Sequence, residues 1–295
     1  MSAAAQAAMQ WVPDVDALRR DYARDGYVVV RGLIDPSELA PLAEAVDAAV
    51  ARRKARDTRC LEEMSRYEQS FLQCQYLWED SPDLRPLTFH QAICAMAGAL
   101  IEADTVRLWH DQALYKQAAG KPTQAHQDSP YWPIAEDHKT VTAWIPLMDV
   151  NRETGCMGYV PGSHLGTRQF VDIFAGDEAT APQIEDQAVF VEAALGDVLF
   201  HHGRTMHMAL PNRTSATRRA YTAIYFADGC TRSGDRPHPS VDRDGVAEGA
   251  RICGKATPIV WPRLPGDYPE PGAWPEPTSD RARRALELGI IPDLR

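Results

Sequence analysis

The sequence predicts a mainly β fold with flanking helices, a jelly roll of about eight strands buttressed by helices on its N-terminal side. Two observations carry this expectation. From Asp104 onward, short β-favouring runs alternate with Gly and Pro breaks, the rhythm of a sandwich or barrel and not of βαβ units. Before Asp104 the apolar residues recur at helical spacing behind helix-start signals. We expect one domain over residues 1–295, with a mostly helical part (1–103), a β core (104–228) and a Pro-rich wrapping tail (229–295).

Taken in order, Val15, Leu18 and Tyr22 lie on one side of a short helix that Asp25-Gly26 stops, and Tyr27 to Val30 is a strand. Asp35-Pro36-Ser37-Glu38 supplies an N-cap, a first-turn proline and a glutamate at the third helical position. Leu39, Leu42, Ala43, Val46 and Val50 follow at helical spacing. Cys60 to Asp83 carries mixed signals, and Leu87 to Ala103, rich in Ala and Leu, reads as another helix. The strand runs of the core are Val106–Trp109, Ala113–Lys116, Val141–Met148, Gly158–Val160, Val189–Val191, Val198–His201 and Arg219–Phe226. Beyond Gly229, prolines at 237, 239, 258, 262, 265, 269, 271, 275 and 277 are too many for regular structure. A last helix runs from Ser279, as N-cap, to Leu288, ended by Gly289.

Composition narrows the function. A hydrophobic content of 44% with 24% charged residues suits a globular protein with a large core. The net charge of -10 and a pI near 5.4 argue against a general nucleic-acid partner. Cys60, Cys74, Cys94, Cys156, Cys230 and Cys253 are scattered without a CxxC pair, which favours reduced thiols in a cytoplasmic setting. Met1 to Gln10 shows neither the basic nor the apolar part of a leader, and no apolar run approaches the ~20 residues of a membrane span.

The chemistry centres on His126-Gln127-Asp128. On a strand, side chains two apart share a face, so His126 and Asp128 can grip one metal ion while Gln127 points away and matters little. His207, at the end of a strand and turn beginning at Gly196, is the candidate third ligand. Two histidines and one carboxylate make the facial arrangement diagnostic of non-haem Fe(II) oxygenases. Such a metal needs an electron-rich co-ligand to activate O2. A 2-oxo acid is one, and its far carboxylate requires a cation. Arg218 opens the strand after His207, and its planar fork matches a carboxylate, with Arg219 expected on the opposite face.

Other residues near this set carry open alternatives. Lys116 and Gln112 share a strand face and contact either 2-oxo acid or substrate, or else belong to a solvated face. Tyr131 and Trp132 form an aromatic wall over the substrate or pack on the barrel rim. His201 and His202 fall on opposite strand faces, so at most one points inward. We take His202 and Arg204 as candidate substrate contacts, and leave His110, His138 and His164 as structural, the last closing a turn.

These motifs together resemble the phytanoyl-CoA dioxygenase family of Fe(II)/2-oxoglutarate oxygenases, from Asp21 through Asp228. His126 and Asp128 match its His-x-Asp, His207 ahead of Pro211-Asn212 its distal histidine, Arg218 its 2-oxoglutarate arginine, and Pro161-Gly162-Ser163-His164 its usual turn. Trp144 matches a tryptophan that lies near 2-oxoglutarate in the family, or else is plain core. The resemblance implies a double-stranded β-helix (a cupin-like jelly roll), with Fe(II) as cofactor and 2-oxoglutarate and O2 as co-substrates. The implied reaction hydroxylates a small or medium-sized organic substrate and releases succinate and CO2. Desaturation, epimerisation and ring closure use the same residues, and a β-helix that binds metal and 2-oxo acid without turnover is a further alternative. Halogenases of this kind have a small residue where Asp128 stands, so halogenation is not expected. Substrate choice is expected in Tyr131–Lys139, Thr167–Asp186 and the tail after Gly229.

Overall fold

The computed structural model describes residues 14–174 and 182–293. The reading of Met1 to Gln10 and part of the loop Thr167–Asp186 lie outside them. Among the described residues the chain builds two antiparallel sheets that face each other, with helices packed on the outer face of the larger one.

Helix α1 (Val15–Asp25) ends at Gly26, whose left-handed φ of 79° lets its N–H close on Tyr22 O at 2.8 Å. Strand β1 (Tyr27–Val30) follows, then α2 (Pro36–Lys54), capped as expected by the Asp35 carboxylate, which accepts from Ser37 N at 2.8 Å. Glu38 does not turn back to complete a capping box; it pairs with His90 Nε2 at 3.2 Å. The mixed region holds strand β2 (Leu72–Gln75) and helix α3 (Leu77–Asp80). The helix expected over Leu87–Ala103 is two pieces, α4 (Arg85–Thr88) and α5 (Gln91–Leu100), broken at Phe89-His90. Helix α5 is buried along nearly its whole surface, which is why its sequence is apolar all round.

The core strands are β3 (Val106–Lys116), β4 (Thr123–His126), β5 (Thr140–Pro146), β6 (Met157–Tyr159), β7 (Val189–Val191), β8 (Val198–His202), β9 (His207–Ala209) and β10 (Arg218–Ala227). The larger sheet has the order β1-β8-β5-β10-β3, and the smaller one the order β4-β9-β6-β7. Two runs expected as separate strands are one continuous β3. The polar residues between them, His110, Asp111 and Gln112, are built into the sheet, and a bulge at this end of the β3–β10 ladder shifts the register between Ile224 and Tyr225.

Register fixes what faces the gap between the sheets. Tyr27, His201, Thr142, Ile224 and His110 are paired across β1, β8, β5, β10 and β3, so they form one row on one face. The next row on that face runs Leu199, Trp144, Thr222, Gln112. From the smaller sheet, His126, His207 and Tyr159 form the opposing row. The outer face of the larger sheet carries Ala143, Phe200, Tyr221, Ala223 and Tyr225 into the main apolar core under the helices. Asp111, on this outer face, accepts from Trp78 N at 2.9 Å and from the Tyr221 hydroxyl.

The tail is more regular than its prolines suggest. It contributes helix α6 (Pro239–Asp242), strand β11 (Ile259–Trp261), which extends the larger sheet beside β3, and helix α7 (Asp280–Glu287), capped by Ser279 as expected. β11 is only three residues long, and Pro258 and Pro262 flank it, which keeps it at the sheet edge. The tail is pinned by a bidentate pair between Arg243 and Glu79 at 2.8 and 2.9 Å, with side chains 2% and 0% exposed. Trp274 Nε1 donates to the same carboxylate at 2.6 Å.

Two outcomes follow from this packing. Glu79→Ala leaves the Arg243 guanidinium buried without its partner and is expected to cost about 3–5 kcal/mol in chemical denaturation; a change within experimental error would mean the pair contributes nothing. Burial pushes the Asp111 carboxyl up to about 7, against the opposing effect of the Tyr221 and Trp78 donors. The folded state therefore holds this proton to higher pH than the unfolded chain, and Asp111 makes stability fall as pH rises from about 4 to about 7. Asp111→Asn stays neutral throughout, so its denaturation midpoint relative to wild type should improve between pH 5 and pH 8. A constant difference would overturn the assignment.

Candidate metal and co-substrate site

His126 and His207 meet because β4 and β9 pair with these two residues in register, ring centroids 4.3 Å apart. Asp128 joins them by a different route from the one the spacing suggests. β4 ends at His126, and Asp128 has φ -77 and ψ -45 at the start of a 3-10 turn over Ser129–Tyr131. The turn, and not strand alternation, brings its carboxylate round. Ser129 N donates to Gly203 O at 2.7 Å to hold that turn, and a Cβ on Gly203 would fall 2.3 Å from Thr140 Oγ1, so only glycine fits there. The three ligand atoms lie within 4.8 Å of one another.

Hydrogen bonding sets which nitrogen each imidazole offers. His126 Nδ1 lies 2.8 Å from Gln124 O and His207 Nδ1 lies 2.9 Å from Thr205 O. A carbonyl only accepts, so both Nδ1 atoms carry the proton and both Nε2 lone pairs turn inward. Burial pushes both imidazoles down to about 4, the second effect on His126 being His207, so both are neutral near pH 7. Burial alone would raise Asp128, but His207, the hydrogen bond from His201, and His126 hold it well below the usual carboxylate range. Two bare imidazole nitrogens and an ionised carboxylate are the donor set a divalent iron takes.

Arg218 is 2% exposed, and its Nε and Nη1 find no hydrogen-bond partner among the described residues. Burial lowers it to about 10, so it stays charged. A buried, charged guanidinium without an anion is costly to hold and fits one missing from the picture. It shares a cavity with the triad and stands over the Trp144 ring at 5.3 Å. Arg219 faces outward as expected, paired with Asp47.

Gln112 also lines this cavity, its Oε1 accepting from Gln73 Nε2 at 2.6 Å. Lys116 is level with Arg218 in the sheet, but its ammonium turns to Lys121 O and to Thr123 Oγ1 at 3.3 Å, and it is not part of the cavity wall. Burial, with Arg218 and Arg66 beside it, pushes its pKa well down.

The cavity measures about 1240 Å3 and runs from the triad to the tail. Of the two readings left open for Tyr131 and Trp132, both residues line the cavity, together with Phe170 and Phe174 of the following loop. Two expectations fail here. His202 is turned to the outer face, where Nδ1 accepts from Arg204 N at 2.9 Å, and the inward member of the pair is His201. Arg204 is held by the buried Asp137 carboxylate at 2.6 Å and lies outside the cavity. Arg107 and Arg168 are likewise tied to Asp228 and Asp137.

Gln127 does point away from the triad, yet it is structural. Its amide donates to Arg204 O at 2.7 Å and accepts from Gln169 N at 2.7 Å, tying two loops together. His164 ties its turn to α1 through Ala23 O at 3.2 Å, the turn itself being closed by Ser163 on Val160 O, whereas His110, expected to be structural, lines the cavity. The sequence could not assign parity to His201 because Val198, Leu199 and Phe200 before it are apolar on both faces. Thr142 and Tyr159, both near the triad, carried no signal beyond strand membership.

Residues 22–220 match the family model described as phytanoyl-CoA dioxygenase. A probable alpha-ketoglutarate-dependent hypophosphite dioxygenase of Stutzerimonas stutzeri is 28% identical over 179 residues, 55% of this chain and 57% of that protein. The chain spans little more than half the length of the first curated relatives it matches. Among solved structures, the non-heme alpha ketoglutarate dependent carbocyclase SnoK from nogalamycin biosynthesis superposes with a TM-score of 0.67 at 30% identity. It covers 82% of this chain and 95% of its own. The epimerase SnoN, solved with Fe3+, alpha ketoglutarate and nogalamycin RO, gives 0.67 and 30%, covering 83% and 98%. Sequence, jelly-roll fold and converging triad agree: this chain belongs to the phytanoyl-CoA dioxygenase family of iron- and 2-oxoglutarate-dependent dioxygenases.

Proposed function

We propose that this chain, as one oxygenase domain, hydroxylates a C–H bond of a medium-sized organic molecule, consuming 2-oxoglutarate and O2 and releasing succinate and CO2. The observation that carries the reading is the buried, unsatisfied Arg218 in the same cavity as the His126, Asp128 and His207 ligand atoms. An Fe(II) ion held by the two Nε2 atoms and one Asp128 oxygen would supply the oxidising chemistry. The protein's own contribution is positioning. Arg218 would pair with the far carboxylate of 2-oxoglutarate, while Trp144 beneath it limits how far the guanidinium can move. Gln112 presents its amide to the same space.

Substrate would occupy the outer cavity, against Tyr131, Trp132, Phe170 and Phe174. At about 1240 Å3 it exceeds the roughly 300–1,000 Å3 common for small ligands, even after 2-oxoglutarate takes its share. An inorganic substrate such as the one named for the Stutzerimonas relative would leave most of it empty. The aromatic wall favours a bulky substrate with an extended apolar face. A second reading, ring closure or epimerisation by the same residues, is favoured by the two 30%-identical structures named for those reactions. A cytoplasmic setting accords with six cysteines that are all free.

Anaerobic addition of Fe(II) and 2-oxoglutarate should give a weak visible charge-transfer band that Asp128→Ala abolishes; absence of the band in the wild type would sink the proposal. Arg218→Ala should weaken 2-oxoglutarate by about 10²-fold, the order expected when one side of a buried charge pair is truncated, with metal affinity kept. Succinate release screened against organic compounds of graded size, with Asp128→Ala as blank, should rise only with bulky substrates. Product masses raised by 16 indicate hydroxylation, and masses unchanged or lowered by 2 indicate the second reading.

A further inference from the structure

We infer that His201 is a positioning residue that holds Asp128 as a single-oxygen metal ligand, and that Tyr159 fixes the tautomer in which it does so. The inference rests on the metal site proposed above. The two oxygens of Asp128 have separate surroundings. Oδ1 faces the ligand nitrogens, 3.6 Å from His126 Nε2 and 3.7 Å from His207 Nε2. Oδ2 faces the larger sheet, 3.0 Å from Thr142 Oγ1 and 3.2 Å from His201 Nε2.

An ionised carboxylate only accepts, so both of these neighbours donate. His201 therefore carries its proton on Nε2, the reverse of His126 and His207, whose Nδ1 protons go to backbone carbonyls. A protonated Nε2 has no lone pair for a metal. Although its ring centroid lies only 4.5 Å from that of His207, His201 is thereby assigned to the carboxylate and not to the ion.

In the neutral imidazole its other nitrogen, Nδ1, is an acceptor, and it lies 3.4 Å from the Tyr159 hydroxyl. Tyr159 is fully buried, and its phenol O–H is placed to donate to that nitrogen. Its ring stacks on Tyr27 at 4.7 Å and 13°, which fixes where the hydroxyl points. The direction of donation is then set throughout, from Tyr159 to His201 to Asp128 Oδ2. With Oδ2 engaged by Thr142 and His201, Asp128 would offer an ion Oδ1 alone, leaving room for co-substrates that a two-oxygen grip would take up.

The test is Co(II) binding to metal-free protein, followed by calorimetry and by the visible absorption of the bound ion. His201→Phe should bind Co(II) about 10- to 100-fold more weakly, the range seen when a ligand's hydrogen-bond partner is removed, with a shifted absorption spectrum. His201→Gln, whose amide N–H reaches the place of Nε2–H, should recover most of both. Tyr159→Phe should weaken binding in the wild-type background and do nothing in His201→Gln, because glutamine has no counterpart of Nδ1. Wild-type affinity and spectrum in His201→Phe, or equal effects of Tyr159→Phe in both backgrounds, overturn the inference. If His201→Phe does not fold, the Tyr159→Phe comparison decides alone. Failure of the wild type itself to bind Co(II) would instead overturn the metal site.

Discussion

One carboxylate has to satisfy two sheets at once. Asp128 turns one oxygen to the histidine row of the smaller sheet and the other to Thr142 and His201 of the larger. A charge that is mostly buried can be held only where every lone pair meets a donor or a cation. The turn at Ser129–Tyr131, held by Ser129 N on Gly203 O, brings that carboxylate between the sheets. The rest of the site depends on it, because the strands that flank Asp128 with Thr142, Ile224 and His110 are the same strands that deliver Trp144 and Gln112 two residues along and Arg218 six residues along.

The site also separates charges of opposite kind. The negative carboxylate is compensated within the protein, whereas the positive Arg218 is not. Among the described residues, one buried cation without an anion thus lies in the same cavity as one satisfied anion. A dicarboxylic 2-oxo acid would answer that cation with its far carboxylate, and Arg218 would then select for span as well as charge.

Much of this was legible in the sequence. The strand rhythm and the two capped helices at Asp35 and Ser279 read correctly because each rests on local chemistry, a period or a cap. His126, Asp128 and His207, expected as one set, do converge, although Asp128 arrives by a turn and not by strand spacing. Errors arose where tertiary pairing overrides local signals. His110 to Gln112 looked like a break because polar residues seldom run through a strand, yet each has a partner or a cavity to face. His201 and His202 could not be told apart without the β5–β8 register. Arg204 looked available because its counter-ion, Asp137, lies 67 positions away in the chain. In the tail, prolines on either side of β11 hid a strand that only the edge of an existing sheet could accept.

Besides the pairing of β11 with β3, that tail is fastened at two further places and borders the cavity. Arg243 is locked to Glu79 near one end; at the other, Lys54 Nζ donates to Leu288 O at 2.7 Å and Gln75 N donates to Ile290 O at 2.6 Å. The stretch between carries Trp274, Pro275 and Pro277 and the inner side of α7 along the cavity, while contributing nothing to the triad. Substitutions there can remodel the outer chamber without disturbing the strands that carry the ligands. The architecture thus divides into a chamber walled by sheet strands and an outer wall supplied by the tail, two parts of the cavity that answer to different stretches of sequence.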